Sequence, residues 1–171
     1  MAFDPHKVAE HISSWLNSYA DVSRFDGFVL GVSGGIDSAV TATLCLMTGK
    51  PVYVIDLPIH QDPIELERSK ELCDSFSKRF SNVTVLRVPL TEVYEATKAA
   101  LPDSVDLSQG LALANTRARL RMTFLYAIGA QRRALVVGTG NKIEDFGIGF
   151  FTKYGDGGVD VSPIADLLKS E

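Results

Sequence analysis

The stretch from Phe28 to Met47 constrains this chain more than any other. An apolar run, Phe28-Val29-Leu30-Gly31-Val32, meets Ser33-Gly34-Gly35-Ile36-Asp37-Ser38 and then a mostly apolar segment of helical length, Ala39 to Met47. These read as a buried strand, a tight turn and a helix. Two adjacent glycines let a ligand approach the backbone without meeting a Cβ. The helix that follows directs unpaired N–H groups and the positive end of its dipole at the same spot. Such a turn is an anion site, and phosphate is its usual anion. It is not a Walker A loop, because the chain has no GxxxxGK[ST] string and no lysine in the turn, and it is not GxGxxG. The charge of a bound phosphate would therefore fall to amides, hydroxyls and a metal, with Asp37 as the metal holder. The plainer alternative is a glycine turn whose helix is capped by Asp37 or Ser38.

The rest of the chain alternates in the same way. Helical spacing of Val8, Ile12, Trp15 and Leu16 predicts a helix from Asp4 to about Tyr19, started by Asp4-Pro5. Pro51–Leu57, Val83–Val88 and Arg133–Gly138 read as strands. Pro63–Phe80 reads as a charged amphipathic helix with Leu66, Leu72 and Phe76 inward, Leu90–Leu101 as a short helix, and Gln109–Ala130 as a long one. Strands that are nearly continuous in apolar residues, separated by helices, imply an α/β fold: a parallel sheet with helices on both faces. Ligands of such sheets bind beyond the carboxyl ends of the strands, where Ser33, Pro58 and Thr139 fall. Thr139 to Gly158 reads as a long loop with six glycines and four aromatic residues, a length that favours function over filler.

A chain of 171 residues fits one domain, residues 1–171, with a core of its own. A net charge of −4 argues against a nucleic-acid backbone as partner. Cys45 and Cys73 lack metal-type spacing and read as reduced, buried thiols. With no signal-peptide core and no apolar run of membrane length, a soluble, cytoplasmic protein with no membrane partner is expected.

The SGGIDS string resembles the pyrophosphate loop of the ATP pyrophosphatase superfamily, whose members cleave ATP between the α and β phosphates and adenylate a substrate. Two further strings, ANTRARLRM (Ala114–Met122) and GTGNKIEDFGIGFFTKYGDGGVDVSPIADLLK (Gly138–Lys169), resemble the NAD synthetases in the same order. The resemblance is to the ammonia-dependent form, since no glutaminase-like region precedes the synthetase strings. It implies an adenine nucleotide alpha hydrolase-like, Rossmann-like three-layer fold. The reaction implied is amidation of deamido-NAD by ammonia through an acyl-adenylate, with ATP as co-substrate, Mg²⁺ as cofactor, and release of AMP and pyrophosphate. By this resemblance Gly31, Val32, Ser33, Gly34, Gly35, Ile36, Asp37 and Ser38 form the ATP loop. Gln61, Thr139 and Lys169 match further ATP positions, and Asp37 and Glu144 the metal positions. Arg119, Lys153 and Asp160, with Asn115, Phe150 and Asp156, match the deamido-NAD side. No residue is implied as a nucleophile; loop, metal and Lys169 would stabilise the departing pyrophosphate.

On a helical wheel Asn115, Thr116, Arg119, Thr123 and Tyr126 form one polar stripe. Leu113, Leu120, Phe124, Ala127 and Ile128 fall opposite, flanked by Leu111, Ala114, Ala118, Met122 and Leu125. This apolar arc is too wide for a helix covering one sheet face, so the helix is either buried on both sides or meets another subunit. The resemblance implies a homodimer at this helix. Arg117 and Arg121 lie inside the arc and call for carboxylate or phosphate partners. Family members continue beyond the lysine matched by Lys169, so this chain is expected to be C-terminally incomplete, binding ATP with slow or no turnover. The rivals are another amidotransferase or thiolating member of the superfamily, and a non-catalytic nucleotide-binding or dimerising module.

Overall fold

A computed structural model describes residues 3–102, 104–105 and 110–171. Asp103 in the polar loop and Gln109, the expected first residue of the long helix, lie outside the described residues. In chain order the elements are α1 (Pro5–Ser23), β1 (Gly27–Val32), α2 (Ile36–Met47), β2 (Val52–Asp56), α3 (Pro63–Arg79), β3 (Val83–Arg87), α4 (Thr91–Ala99), α5 (Gly110–Arg132) and β4 (Ala134–Val136). All strand pairs are parallel, in the order β3-β2-β1-β4. β1 runs from Phe28 opposite Val52 to Val32 opposite Asp56, and on its other edge from Gly27 opposite Ala134 to Val29 opposite Val136.

Alternation along the strands sorts the core into two halves. Phe28, Leu30, Val52, Val54 and Leu135 pack with Ile12, Leu16, Ala42, Cys45 and Phe76 from α1, α2 and α3. Val29, Ile55 and Val136 point the other way, onto Tyr94, Met122 and Leu125 from α4 and α5. Helices therefore cover both faces, as the strand composition implied. The α1 helix starts where Asp4 accepts from the amides of His6 and Lys7, and it ends at Arg24, whose φ is 60°. Ser13 Oγ donates to the Leu44 carbonyl at 3.0 Å, fastening α1 to α2. Trp15, despite its helical spacing with core residues, is 42% exposed and stacks on Tyr19 outside the core. Of the three inward residues expected on α3, Phe76 is buried, while Leu66 and Leu72 are partly so.

The long helix departs from the wheel. Its buried residues are Met122, Leu125 and Gly129, on the flank of the expected arc, while Leu113, Leu120, Phe124 and Ile128 are only partly covered. Gly129 explains the rotation. A Cβ there would lie 2.9 Å from the Ala134 carbonyl oxygen and 3.0 Å from Val29 Cγ1, so the helix touches the sheet along the line its glycine opens. The end of β4 also differs from expectation. Past Val136 the chain continues to pair, with Val137 bridged to Val161 and the Gly138 amide donating to the Val161 carbonyl at 2.9 Å. The 139–158 stretch is not all loop either, since Ile143–Ile148 forms a π-helical segment. Among the described residues no helix is long and apolar enough to cross a membrane.

After β3 the chain crosses back to pair β4 on the free edge of β1. The crevice at the carboxyl ends of β1 and β4 is thus the switch point of the sheet, and the Ser33-Gly34-Gly35 turn opens into it. Gly34 has a φ of +79°, and a Cβ on it would sit 2.9 Å from both Arg68 Cβ and the Ser69 nitrogen of α3. A Gly34→Ala variant should therefore lose about 2 kcal/mol or more, combining left-handed strain with overpacking. Urea unfolding monitored by circular dichroism would measure it, and an unchanged midpoint would show that the turn has room.

Candidate functional site

The turn is held from within. Ser38 Oγ donates to the Gly35 carbonyl at 2.9 Å and accepts from the Ser33 amide at 3.4 Å, while Ser33 Oγ accepts from the Gly35 amide at 3.3 Å. Gly35 is the N-cap of α2 and supplies no side-chain cap, so the first amides of the helix stay free. The plainer alternative of a helix capped by Asp37 or Ser38 is therefore not what forms. A Cβ on Gly35 would meet nothing closer than the turn's own Ser33 Oγ at 3.3 Å. Gly34 faces α3; Gly35 faces open space, the side from which an anion would approach.

A cavity of about 300 Å³ opens at these strand ends. Its lining takes Gly31, Val32, Ser33 and Ser38 from β1, the turn and α2, and Gly138 and Thr139 from beyond β4. Leu57, Gln61, Glu65, Leu66, Arg121 and Met122 complete it from the chain leaving β2, from α3 and from α5. Its size is at the small end of ligand sites, and its lining joins apolar side chains with a few polar groups, the usual make-up of a binding pocket. Asp56 at its margin is already engaged, accepting from Ser69 Oγ at 3.0 Å and facing Arg87 Nε at 3.4 Å.

Three distant segments converge beside the turn. Lys169 Nζ lies 3.1 Å from Asp37 Oδ2 and 3.0 Å from Glu144 Oε1. Hydrogen bonds to Glu144 and then Asp37 raise the lysine's pKa, so the ammonium stays charged. Two carboxylates gathered on one cation offer hard oxygen donors of the kind Mg²⁺ takes. Among the described residues no group of three or more acid, histidine or cysteine side chains gathers as a metal site. Asp37 and Glu144 could thus hold an ion only with water or ligand oxygens completing its shell, the usual state of bound Mg²⁺. Glu144 owes its position to Asn141, 2% exposed, whose Oδ1 accepts from the Ile143 and Glu144 amides at 3.0 and 3.1 Å. The Lys142 amide donates to the Leu167 carbonyl at 3.0 Å, which brings Lys169 alongside.

The residues matched to the substrate side lie apart, where the 150–160 segment folds against α5. Arg119 Nε donates to the Lys153 carbonyl at 3.0 Å, and Thr152 Oγ1 donates to Asn115 Oδ1 at 2.9 Å. Asp156 Oδ1 accepts from the Thr152 amide at 2.7 Å. Of this group Asp156 alone reaches the cavity lining. Phe150 is 75% exposed, and Lys153 Nζ rests 5.1 Å from the Tyr154 ring centre. Asp160 is engaged in the fold, accepting from the Val136 amide at 2.8 Å and from the Tyr126 hydroxyl at 3.0 Å. Asp145 sits near Asp156 and Glu144, and burial followed by those two charges raises its pKa.

Sequence reasoning did not assign Asn141, Ser69 or Arg121 to this site. Arg121 carried a signal, a charge inside an apolar arc; the Asp56 and Glu65 carboxylates lie near enough to favour its charge, but its direct hydrogen bonds go to neutral oxygens. Among the described residues it donates to the Leu57 carbonyl and to the Gln61 side chain. A guanidinium forced inward can be satisfied by neutral oxygens when they converge on its fork. Asn141 and Ser69 carried no signal, since each acts through a contact that only folding creates.

The NAD synthase family model matches residues 8–171. The NH(3)-dependent NAD(+) synthetase of Mesoplasma florum is 40% identical over 163 residues, which cover 95% of this chain and 64% of that protein. Among solved structures, NMN synthetase from Francisella tularensis superposes with a TM-score of 0.90 at 34% identity, over 99% of this chain and 68% of that one. The NH3-dependent NAD synthetase from Campylobacter jejuni, in complex with the nitrate ion, gives 0.87 at 33% identity, over 99% and 71%. The chain spans between 59% and 65% of the length of the first curated relatives it matches.

Two outcomes follow from this geometry. Lys169→Gln leaves Asp37 and Glu144 unscreened, and because the lysine is exposed to solvent the loss of stability should be small. It should shrink further as salt is added. Denaturation at low and high ionic strength would measure both, and a salt-independent loss would place the lysine's role elsewhere. Tyr126 is pushed up to about 12, first by burial and then by Asp160. Its raised pKa stabilises the fold at neutral pH, a contribution lost as pH rises from the ordinary tyrosine value of about 10 through that higher one. Asp160→Asn should bring the Tyr126 titration back toward ordinary tyrosine, read by ultraviolet absorbance against a Tyr126→Phe control.

Proposed function

This chain belongs to the NAD synthase family, and from that premise we propose that it is an ATP-dependent, ammonia-using ligase acting on deamido-NAD. Its fold is the adenine nucleotide alpha hydrolase-like arrangement of a parallel sheet between helices. The observation that carries the reading is the open Ser33-Gly34-Gly35 turn at the switch point, with the uncapped start of α2, a cavity that Ser33 and Ser38 line, and two carboxylates beside it. That combination suits a polyphosphate and its counter-ion better than it suits an uncharged ligand.

In this reading the amides from Ser33 to Ser38 hold the ATP phosphates, with the Ser33 and Ser38 hydroxyls and Thr139 at the same rim. Asp37 and Glu144 hold Mg²⁺, which when bound neutralises phosphate charge as pyrophosphate departs. Lys169 turns from the carboxylates toward the phosphates, and Gln61 faces the nucleoside end. Asn115, Arg119, Phe150, Lys153, Asp156 and Asp160 hold the dinucleotide. An oxygen of the substrate carboxylate attacks the α-phosphorus and pyrophosphate leaves. Ammonia then adds to the acyl carbon, AMP leaves, and nitrogen sheds a proton. The chain's contribution is alignment and charge stabilisation, with no covalent bond to a side chain.

A second copy of the chain is the proposed partner. Leu111 on α5, Phe146 and Ile148 on the π-helical segment, and Phe150 and Tyr154 after it are each at least 69% exposed, more large apolar surface than an isolated chain usually leaves uncovered. A cytoplasmic setting with neither membrane nor nucleic acid as partner, and a single synthetase domain over 1–171, complete the reading. The likeness to an NMN synthetase favours one alternative, amidation of the corresponding mononucleotide.

Calorimetric titration is the first test. The chain should bind Mg·ATP, and Asp37→Asn should weaken that binding at least about tenfold, ~1.4 kcal/mol, while the melting temperature holds. Unchanged affinity would remove Asp37 from the metal. Single-turnover amide formation from deamido-NAD and from the mononucleotide, each with ATP and ammonium, separates the two substrates.

A further inference from the structure

Arg121 is placed in the cavity, and the proposed chemistry leaves it without a task. Its Nε donates to the Leu57 carbonyl at 3.0 Å and its Nη2 to Gln61 Oε1 at 3.2 Å. Leu57 to Gln61 is the chain leaving β2, and both of its end residues line the cavity. One guanidinium fork from α5 therefore pins both ends of that segment. Burial, and then the neighbouring Arg117, disfavour the charge, while the Asp56 and Glu65 carboxylates favour it, and the arginine remains protonated. A part-buried cation whose direct bonds go to one segment holds that segment in place, which a methionine of similar length could not do.

The bond to Gln61 settles which way its amide points. Arginine has donors only, so the atom facing Arg121 must be the amide oxygen. That oxygen also accepts from the Ile59 amide at 3.5 Å. The Gln61 NH₂ is what remains for the cavity, as a donor held in a fixed direction. Leu57, Leu66, Met122 and Leu125 line the same cavity. The carboxylate of Asp56 is engaged with Ser69 and Arg87. The lining thus joins apolar side chains with an oriented N–H donor and a guanidinium plane. A flat, uncharged ring with acceptor nitrogens fits these groups, as phosphates fit the uncapped start of α2.

We propose that Arg121 is a positioning residue for the base of the bound nucleotide: it turns the Gln61 amide so that its NH₂ donates to a ring nitrogen, and it holds the Leu57–Gln61 segment against that ring. The inference rests on the ATP reading above and adds to it the residue that orders the base end.

The test compares Mg·ATP with Mg·tripolyphosphate, which lacks base and ribose, by calorimetric titration of the full chain. Arg121→Met and Gln61→Glu should each weaken Mg·ATP at least about tenfold, one good hydrogen bond's worth, and change Mg·tripolyphosphate by less than about twofold. Gln61→Glu keeps an oxygen for Arg121, removes the NH₂ and adds a charge that the guanidinium faces, so its melting temperature should match or exceed the parent's, and the tripolyphosphate arm reads any general repulsion of anions. It carries the test if Arg121→Met does not fold. Equal losses for both ligands with Arg121→Met would make Arg121 a phosphate contact and overturn the proposal. Parent-like ATP affinity in Gln61→Glu would overturn the donor role. A parent chain that binds tripolyphosphate but gains nothing from the nucleoside would overturn this inference and leave the phosphate site standing. A parent that binds neither would overturn the ATP reading itself.

Discussion

β1 exchanges hydrogen bonds with β2 on one edge and with β4 on the other, and the rest of the molecule hangs on that double pairing. It holds Val32 at the centre of the sheet and delivers Ser33 to the crevice where the chain direction divides. It buries Phe28, Val29 and Leu30 completely, so the strand cannot slip by one residue without turning its core outward. With the strand immobile, the turn needs only local devices: a left-handed Gly34 pressed on α3, and Ser38 reaching back to Gly35. A site built on so fixed a strand is pre-organised before any ligand arrives, which lowers the ordering cost of binding.

Around this rigid centre the charged groups sit on softer ground. Asp37 belongs to α2, Glu144 to the π-helical segment and Lys169 to the chain's last described turn. Their union is electrostatic, exposed to solvent, and therefore weak and exchangeable. That suits groups expected to trade one cation for another, or a carboxylate for a phosphate, during a cycle. The deeper contacts of the same segments are neutral hydrogen bonds, Asn141 to the Ile143 and Glu144 amides and Lys142 to Leu167, which keep the pieces adjacent while the charges rearrange. The Asp160 carboxylate is likewise tied to the fold, accepting from an amide at the end of β4.

α5 shows how one helix can serve three surroundings. Its Met122, Leu125 and Gly129 stripe meets the sheet, Arg121 turns into the cavity, and Arg119 and Asn115 meet the 150–156 segment. A single amphipathic face would not serve all three, and this helix accordingly lacks one. The wide apolar arc read from the wheel was real, but the sheet met its flank because Gly129 sets the line of closest approach.

By itself the sequence determined the alternation of strands and helices, the parallel sheet covered on both faces, and the glycine turn as an anion site. Each follows from local rules: apolar runs, helical spacing, and residues without a Cβ. It also determined the family, because three strings in order matched over most of the chain. What the tertiary structure alone decided are the partnerships between residues far apart in the chain. Lys169 between Asp37 and Glu144, Arg121 on Gln61, Asp160 on Val136 and Asn141 beneath Glu144 are contacts of this kind. No local pattern encodes them, because a hydrogen bond depends on ångström-scale distance and direction, and these arise only when the sheet has fixed where each segment returns.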